Sequence, residues 1–326
     1  VRSLVARVAD ALVLLWLVAT LTFALVRLAP GDPVVLLAGP TATAAELAQR
    51  RTALGLDAPL VAQYLRWLGA VAQGELGESL ARAVPVRQVI AEALPVSLLL
   101  GGASLVASLL GGALLGSWQA LRLSARADRW VNTVATVAQA IPSFWLALAL
   151  VVVFTSGMAM LGAPPWLRLP AFGMRDPALP PGAGGVGDLV RHAILPVLTL
   201  AIPGVAGMAR YARQAVLAAR SQPHVPVARA RGVPPHLLDR RHILRPGATP
   251  LVVLAGLLLP GVIAGSVFVE QVFAWPGMGR AMLSAIAARD YPVVQGMALV
   301  YAAAVVASGV VTDGLLVVLD PRRRAP

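Results

Sequence analysis

Residues Val96 to Trp118 read VSLLLGGASLVASLLGGALLGSW, an unbroken apolar run without one ionisable side chain. A helix needs ~20 mostly apolar residues to cross the hydrocarbon core of a bilayer, so this stretch reads as a membrane span. Its apolar residues are continuous and do not alternate, which excludes a barrel strand. Working outward, five further stretches pass the same test: Val8 to Leu28, Trp130 to Met160, Ala193 to Met208, Pro250 to Val269, and Pro292 to Leu319. The fourth is the shortest and contains Pro196 and Pro203. Prolines inside a span are tolerated where neighbouring helices satisfy the freed carbonyl, so this helix is expected to be buried in the bundle. Arg2 and Arg7 precede the first stretch as in a leader. The apolar run outlasts an h-region, however, and ends in Val26-Arg27-Leu28 without a small-residue cleavage site, so it reads as a span. The predicted fold is an all-α polytopic membrane protein with six transmembrane helices.

Composition agrees. Of 326 residues, 58% are apolar and 13% charged, with a mean hydropathy of +0.77, whereas a soluble domain carries about 25% charged residues. There is no cysteine, which removes thiolate catalysis, cysteine-based zinc sites and disulfides. There is no lysine either. A Walker A loop needs Lys beside its glycine-rich turn, so the chain holds no P-loop ATPase, and Schiff-base chemistry is excluded on the same ground. The net charge of +12 is carried by arginines that concentrate on one side. The short segment 119–130 has Arg122, Arg126 and Arg129, against only Arg280 and Arg289 in the longer 273–292. The positive-inside rule then puts both termini in the cytosol. No aromatic-interleaved basic surface accompanies the charge, so nucleic acid is not expected as a partner.

The loops divide by character. The outer segment 30–95 reads as short amphipathic helices, with Leu60, Tyr64, Leu65 and Leu68 at helical spacing and Gln63 and Arg66 toward water. The outer loop 161–191 is rich in Pro and Gly and has no regular pattern. The inner loop 209–249 carries eight arginines against the single acid Asp239, divided by Pro223, Pro226, Pro234 and Pro235. Charge alone allows anionic lipid contacts. Its length, far beyond a turn between spans, favours a docking surface for a soluble partner.

Other constellations carry less. His224, His236 and His242 share the inner loop, but their spacing matches no metal site, and no G-x-S-x-G or H-E-x-x-H occurs. The ionisable groups within spans are Asp10, Glu270 and Asp313, all near helix ends. A proton-coupled carrier is expected to hold carboxylates at mid-membrane, which lowers that class. The G-x-x-x-G pairs Gly112/Gly116 and Gly261/Gly265 read as helix packing.

The inner loop contains Val227-Ala228-Arg229-Ala230-Arg231-Gly232, then nine residues, then His242-Ile243-Leu244-Arg245-Pro246. This resembles the coupling loop of bacterial ABC import permeases, and more narrowly that of the first permease subunit of the dipeptide, oligopeptide and nickel importer family. Leu25 to Pro33, Leu54 to Leu80 and Pro142-Ser143-Phe144-Trp145 resemble the family's other signatures. So do Val269 to Gly296 (VEQVFAWPGMGRAMLSAIAARDYPVVQG) and Asp320-Pro321-Arg322, so that the likeness covers nearly the whole chain. Pro226 departs from the pattern, as do Gln222, Pro223 and His224 before it. A proline at 226 predicts a coupling helix beginning at or after that residue.

The resemblance implies a MetI-like permease core in a bacterial cytoplasmic (inner) membrane. Residues 1–95 would be the first span plus outer segment, 96–319 a five-helix core, and 320–326 a short basic tail. The implied partners are a second six-span permease, two ABC ATPase subunits, an extracytoplasmic solute-binding protein and membrane lipid. ATP and magnesium would bind the ATPase partners, and this chain would hold no cofactor, no metal and no catalytic residue. The ATPase-coupling loop would comprise Ala228, Arg229, Ala230, Arg231, Gly232, His242, Leu244 and Pro246, with Gly232 permitting a sharp turn or close approach. The outer scoop 270–292 would comprise Glu270, Phe273, Trp275, Pro276, Gly277, Gly279, Arg280, Asp290 and Tyr291. Within it Trp275 serves either packing or solute contact. The implied solute is a di- or oligopeptide, with nickel, glutathione or another small solute as alternatives. A stand-alone secondary transporter, a membrane enzyme, and an assembly subunit that has lost transport are the rival readings.

Overall fold

The computed structural model describes residues 4–28, 43–53, 57–180, 185–264 and 266–319. The expected tail 320–326 and its Asp320-Pro321-Arg322 match lie outside the described residues, as do 29–42, 54–56, 181–184 and Gly265. Among the described residues the architecture is helical, with a single isolated bridge between Glu78 and Pro85. Six helices are long and apolar enough to cross a membrane.

The chain divides into two units. The first comprises residues 1–95 and 280–306, the second 96–279 and 307–326. In the first unit, α1 (Leu4–Leu28) meets α3 (Leu60–Ala72), which follows the short α2 (Ala44–Ala53). The Thr20 and Tyr64 hydroxyls share a hydrogen bond of 2.8 Å, and Phe23 lies edge-on to Tyr64 with ring centres 5.3 Å apart. The polar side of α3 differs from expectation: Gln63 is buried while Leu60 and Leu65 are exposed. Gln63 Nε2 donates to the Ala58 carbonyl at 2.7 Å, which turns this amide inward to close the start of its own helix.

α4 (Val86–Arg122) begins in the first unit and continues in the second. The expected third span does not run from Trp130. α5 (Ala125–Ala140), capped by the Ser124 hydroxyl, ends at Ile141, and α6 (Ser143–Val152) starts anew. Pro142 holds Ile141 in an extended conformation and so stops the helix there. The apolar span is Ser143–Met160, with a π-helical turn at Val153–Gly157. The fourth span is far longer than expected, because α7 runs from Gly185 to Arg220. It continues through Pro196 and Pro203 and buries both Leu195 and Pro196, as a bundle-facing helix should. Three of the arginines assigned to the inner loop therefore stand on α7. α8 (His224–Ala230) follows, then a turn at Pro235–Leu237 and a π-helical segment at Leu238–Leu244 that leads into α9 (Arg245–Ala264). The fifth span ends at Ala264 and not at Val269; Val267–Val272 is the separate helix α10. α11 (Met278–Ala287) and α12 (Tyr291–Leu319) complete the chain.

Lipid tails are as apolar as leucine, so a bundle in a membrane is held by close packing more than by hydrophobic transfer. α4 and α7 show this directly. A Cβ on Gly112 would stand 2.7 Å from Met208 Cγ, and one on Gly116 would stand 2.8 Å from Arg213 N. This G-x-x-x-G pair packs within the bundle as the sequence suggested. Gly261 does not: a Cβ there meets nothing within 4 Å, because the residue borders a cavity.

Candidate functional site

The site has three parts, built on different elements. The first is α8 at the inner side of the second unit. Val225 and Ala228 pack against Val216 and Ala219 of α7 and against Leu238 and Ile243 of the π-helical segment. Pro226 stands in the first turn of α8, two residues after the helix begins. Its missing N–H costs nothing there, since the first four N–H groups of a helix have no intrahelical acceptor. The helix stops in a Schellman motif, in which Gly232 N donates to Arg229 O at 3.0 Å and Val233 N to Ala228 O at 3.2 Å. Gly232 adopts φ +78°, and a Cβ there would touch nothing within 4 Å. The glycine is needed for its backbone angle and not for close approach.

This packing sorts the coupling residues. Ala228 is buried and Leu244 half-buried against the same cluster, and half-buried His242 accepts through its carbonyl, 3.1 Å from His224 Nε2. Arg229, Ala230, Arg231 and Pro246 are exposed. Val227, which the sequence reading did not single out, is also exposed, at 51%, and stands beside Arg229 and Arg231. Three arginines of the supposed basic surface are engaged within the chain, Arg220 through a 3.4 Å hydrogen bond from Nη1 to Ala120 O and the other two with side chains. Arg213 forms a fork on Asp128 of α5, with Nε to Oδ1 at 2.7 Å and Nη2 to Oδ2 at 2.5 Å. That hydrogen-bonded guanidinium holds the Asp128 carboxyl below its ordinary range. Arg210 donates to Gln139 Oε1 at 2.8 Å. Arg220, Arg240, Arg241 and Arg245 remain exposed.

The second part is the scoop sequence, whose residues are distributed between the two units. Phe273 and Trp275 are fully buried with Leu100, Ala147, Leu195 and Val269, so Trp275 packs in the core of the second unit. Its indole N–H donates to Val96 O at 3.3 Å. Glu270 is fully buried, and its Oε1 accepts from Ser97 Oγ at 2.7 Å, while the same Oγ accepts from Met278 N at 2.7 Å. A carboxylate at the start of α11 is favoured by the helix dipole. A Cβ on Gly277 would stand 2.5 Å from both Glu270 Oε1 and Ser97 Oγ, so only glycine lets the turn close over this group. Gly279 is buried and Pro276 exposed. In the first unit Arg280 and Tyr291 are half-buried, and Asp290 is buried as a clamp. Its carboxylate accepts from Ser79 Oγ at 2.5 Å, from Leu80 N at 3.0 Å and from Ala81 N at 3.2 Å.

The third part is a cavity of about 400 Å³ within the second unit. Its polar lining is Ser97, Ser104 and Ser108 of α4, Gln139, Tyr211 and Glu270, and among the described residues no basic one borders it. The serines fall on one face of α4 at intervals of seven and four, the signal by which sequence could have found them. Ser104 and Ser108 donate to the carbonyls four residues earlier at 2.7 Å each, so the hydroxyls stay satisfied in an apolar setting.

Comparison with known proteins bears on what this arrangement does. Residues 112–325 match the family described as binding-protein-dependent transport system inner membrane component. Residues 1–101 match the N-terminal region of such membrane components. The chain is 32% identical over 303 residues to the oligopeptide transport system permease protein AppB of Bacillus subtilis, covering 93% of this chain and 92% of that one. It is 35% identical over 315 residues to the di/tripeptide transport system permease protein DppB of Pseudomonas aeruginosa, covering 94% of each. A putative peptide permease protein of Brucella ovis is 36% identical over 305 residues, covering 93% and 92%.

Proposed function

Because the chain belongs to the family of binding-protein-dependent transport system inner membrane components, we propose that it is the permease subunit through which di- or oligopeptides enter the cytosol. The observation that carries the cargo is the likeness, over more than nine-tenths of both chains, to relatives named for oligopeptide and di/tripeptide transport. A second six-span permease pairs with this chain, two ABC ATPases bind ATP and magnesium, and an outer solute-binding protein delivers the peptide. The exposed strip of Val227, Arg229 and Ala230 of α8 with Arg231 just past its end seats in an ATPase cleft. Val225 and Ala228 fasten the helix to α7 and to the segment leading into α9, so movement of the ATPase is passed to two spans at once. The cavity bordered by Ser97, Ser104, Ser108 and Gln139 is this subunit's share of the passage. Its hydroxyl and amide groups suit peptide backbone, and the lack of fixed positive charge among its described lining residues leaves it tolerant of varied side chains.

The test is to purify the tagged chain from its native membrane in mild detergent and identify its companions by mass spectrometry. A six-span relative and a subunit bearing a Walker A loop are the expected companions. Recovery of the chain alone, or only with copies of itself, would overturn the importer and favour a transporter that works by itself.

A further inference from the structure

The passage cavity does not end at Tyr211. A second cavity of about 260 Å³ shares Gln139, Gly207 and Tyr211 with it and adds Arg210 and Gln214, so one chamber continues into the other between α5 and α7 of the second unit. The lining changes character between them. Apart from Gly207, every residue of the second chamber is polar, and Arg210 brings the basic group that the described lining of the first lacks. Arg210 stands just past the apolar stretch Ala193 to Met208 and one turn before Arg213, which places the chamber toward the inner end of α7.

The contacts of Arg210 say what it can receive. Arg213, one turn on, is held by both oxygens of Asp128, whereas among the described residues Arg210 has no acidic partner. It donates from Nη1 to the neutral Gln139 Oε1 at 2.8 Å. A Cβ on Gly207 would stand 2.5 Å from Gln139 Nε2, so this glycine leaves the room that the amide occupies as it lies across α7. Gln139 and Gly207 border both chambers, which puts the bridge from Arg210 to Gln139 at their junction. A carboxylate offers a guanidinium two oxygens and a full opposite charge where the amide offers one neutral oxygen, so an incoming carboxylate is favoured over Gln139. We propose that Arg210 receives the C-terminal carboxylate of the cargo, exchanging Gln139 for it, so that peptides leave the cavity toward the cytosol carboxyl end first. The inference rests on the peptide reading of the cavity and deepens it. The C-terminal carboxylate is the anionic group that peptides of any side-chain composition share, and a residue that reads it needs no contact with their side chains. A lipid headgroup of the inner leaflet would offer the same charge, but the chamber is continuous with the cavity through which the cargo arrives.

The experiment is uptake of trialanine and of trialanine amide by the whole importer with its binding protein, in proteoliposomes loaded with ATP. Maximal rates are compared as a ratio, acid over amide, and each variant's ratio is divided by that of wild type, so the binding protein's own preference cancels. Arg210→Gln should lower the ratio about fivefold or more and Arg210→Glu should lower it further, while Arg210→Lys, which keeps the charge, should stay within about twofold of wild type. A general loss of packing or coupling would slow both cargoes alike and leave the ratio where it was. In wild type, a tripeptide carrying a photoactivatable leucine as its last residue should label the stretch 207–214 about threefold or more over one carrying it first, a reading that needs neither a variant nor delivery of the amide. A ratio unmoved in both Arg210→Gln and Arg210→Glu, equal labelling from the two positions, or labelling of 207–214 by a photoactivatable phosphatidylglycerol that trialanine does not compete away would overturn the proposal and leave the importer standing. Absence of ATP-driven uptake of either peptide by wild type would overturn the peptide reading itself, and the proposal with it.

Discussion

Arg213 on α7 and Asp128 on α5 are joined by two parallel hydrogen bonds across 85 positions of sequence, and Gln119 Nε2 of α4 reaches the same carboxylate at 3.4 Å. One acid thus ties three helices at the inner end of the second unit. The side chains are only 17% and 28% exposed, and the fork geometry is bidentate, so the pair exceeds an ordinary surface ion pair. A double-mutant cycle of Asp128→Asn and Arg213→Gln should give a coupling of about 1 kcal/mol in detergent-unfolding midpoints.

The same pair sets a pH dependence. The Asp128 carboxyl is held below its ordinary value of 3.8, chiefly by the Arg213 hydrogen bond. The folded state therefore binds this proton less readily than the unfolded state, and the contribution to stability is complete above that ordinary value. It fades as pH falls below it and through the lower native value. Wild type should lose its advantage over Asp128→Asn only in that acid range, and unfolding midpoints measured from neutral pH downward check this.

Gly232 offers a test of why the coupling segment ends where it does. With φ at +78° and open space around the position, strain and not collision limits substitution. Gly232→Ala or Gly232→Val should cost about 1–2 kcal/mol locally and loosen the turn. Gly232→Asn should be better tolerated, since Asn enters the left-handed region more readily. Nucleotide-stimulated uptake in vesicles should rank Gly, then Asn, then Ala and Val; Ala equal to wild type would contradict the Schellman account.

The two glycine pairs should part company. Gly116→Ala drives a methyl into the α7 backbone at Ala209 and Arg213, and overpacking of this kind costs typically ~1–3 kcal/mol. Gly261→Ala enters open space and should leave stability within about 0.5 kcal/mol of wild type. Thermal unfolding of the two variants side by side measures the contrast.

Ser97 joins the buried Glu270 to the first N–H of α11. Ser97→Ala removes a donor and an acceptor from a buried polar pair at the edge of the cavity, so a loss of about 1–3 kcal/mol is expected, whereas Ser97→Thr keeps the hydroxyl. Unfolding midpoints of the two variants check it.

The sequence made the six spans and their order legible, because apolar length is a local property. What it concealed was where helices begin and end outside the lipid. Apolar continuity from Trp130 to Met160 masked the break that Pro142 imposes at Ile141. The polar stretch with Arg210, Arg213 and Arg220 masked the continuation of α7, since a helix beyond the membrane is no longer uniformly apolar. Gln63 reads as a surface residue by chemistry and is buried because its amide satisfies a carbonyl five residues earlier. At the site, Arg229, Ala230, Arg231 and Gly232 stood out by the motif's family resemblance, whereas Val227 did not, because its exposure depends on which face of α8 packs on α7. The partnerships of Asp128 with Arg213 and of Gln139 with Arg210 were not legible, because each joins elements far apart in the chain.

The central claim is that the α8 strip is the surface an ATPase partner grips. Since the chain contains no cysteine, single cysteines can be placed at Val227, Ala228 and Arg229 without further engineering. The measurement is cross-linking of these variants, in inside-out vesicles holding the whole importer, to the subunit that bears the Walker A loop. The account predicts adducts from Val227→Cys and Arg229→Cys that change in yield with ATP, and little or none from the buried Ala228→Cys. No adduct from either exposed position, in vesicles whose peptide uptake still requires ATP, would contradict it.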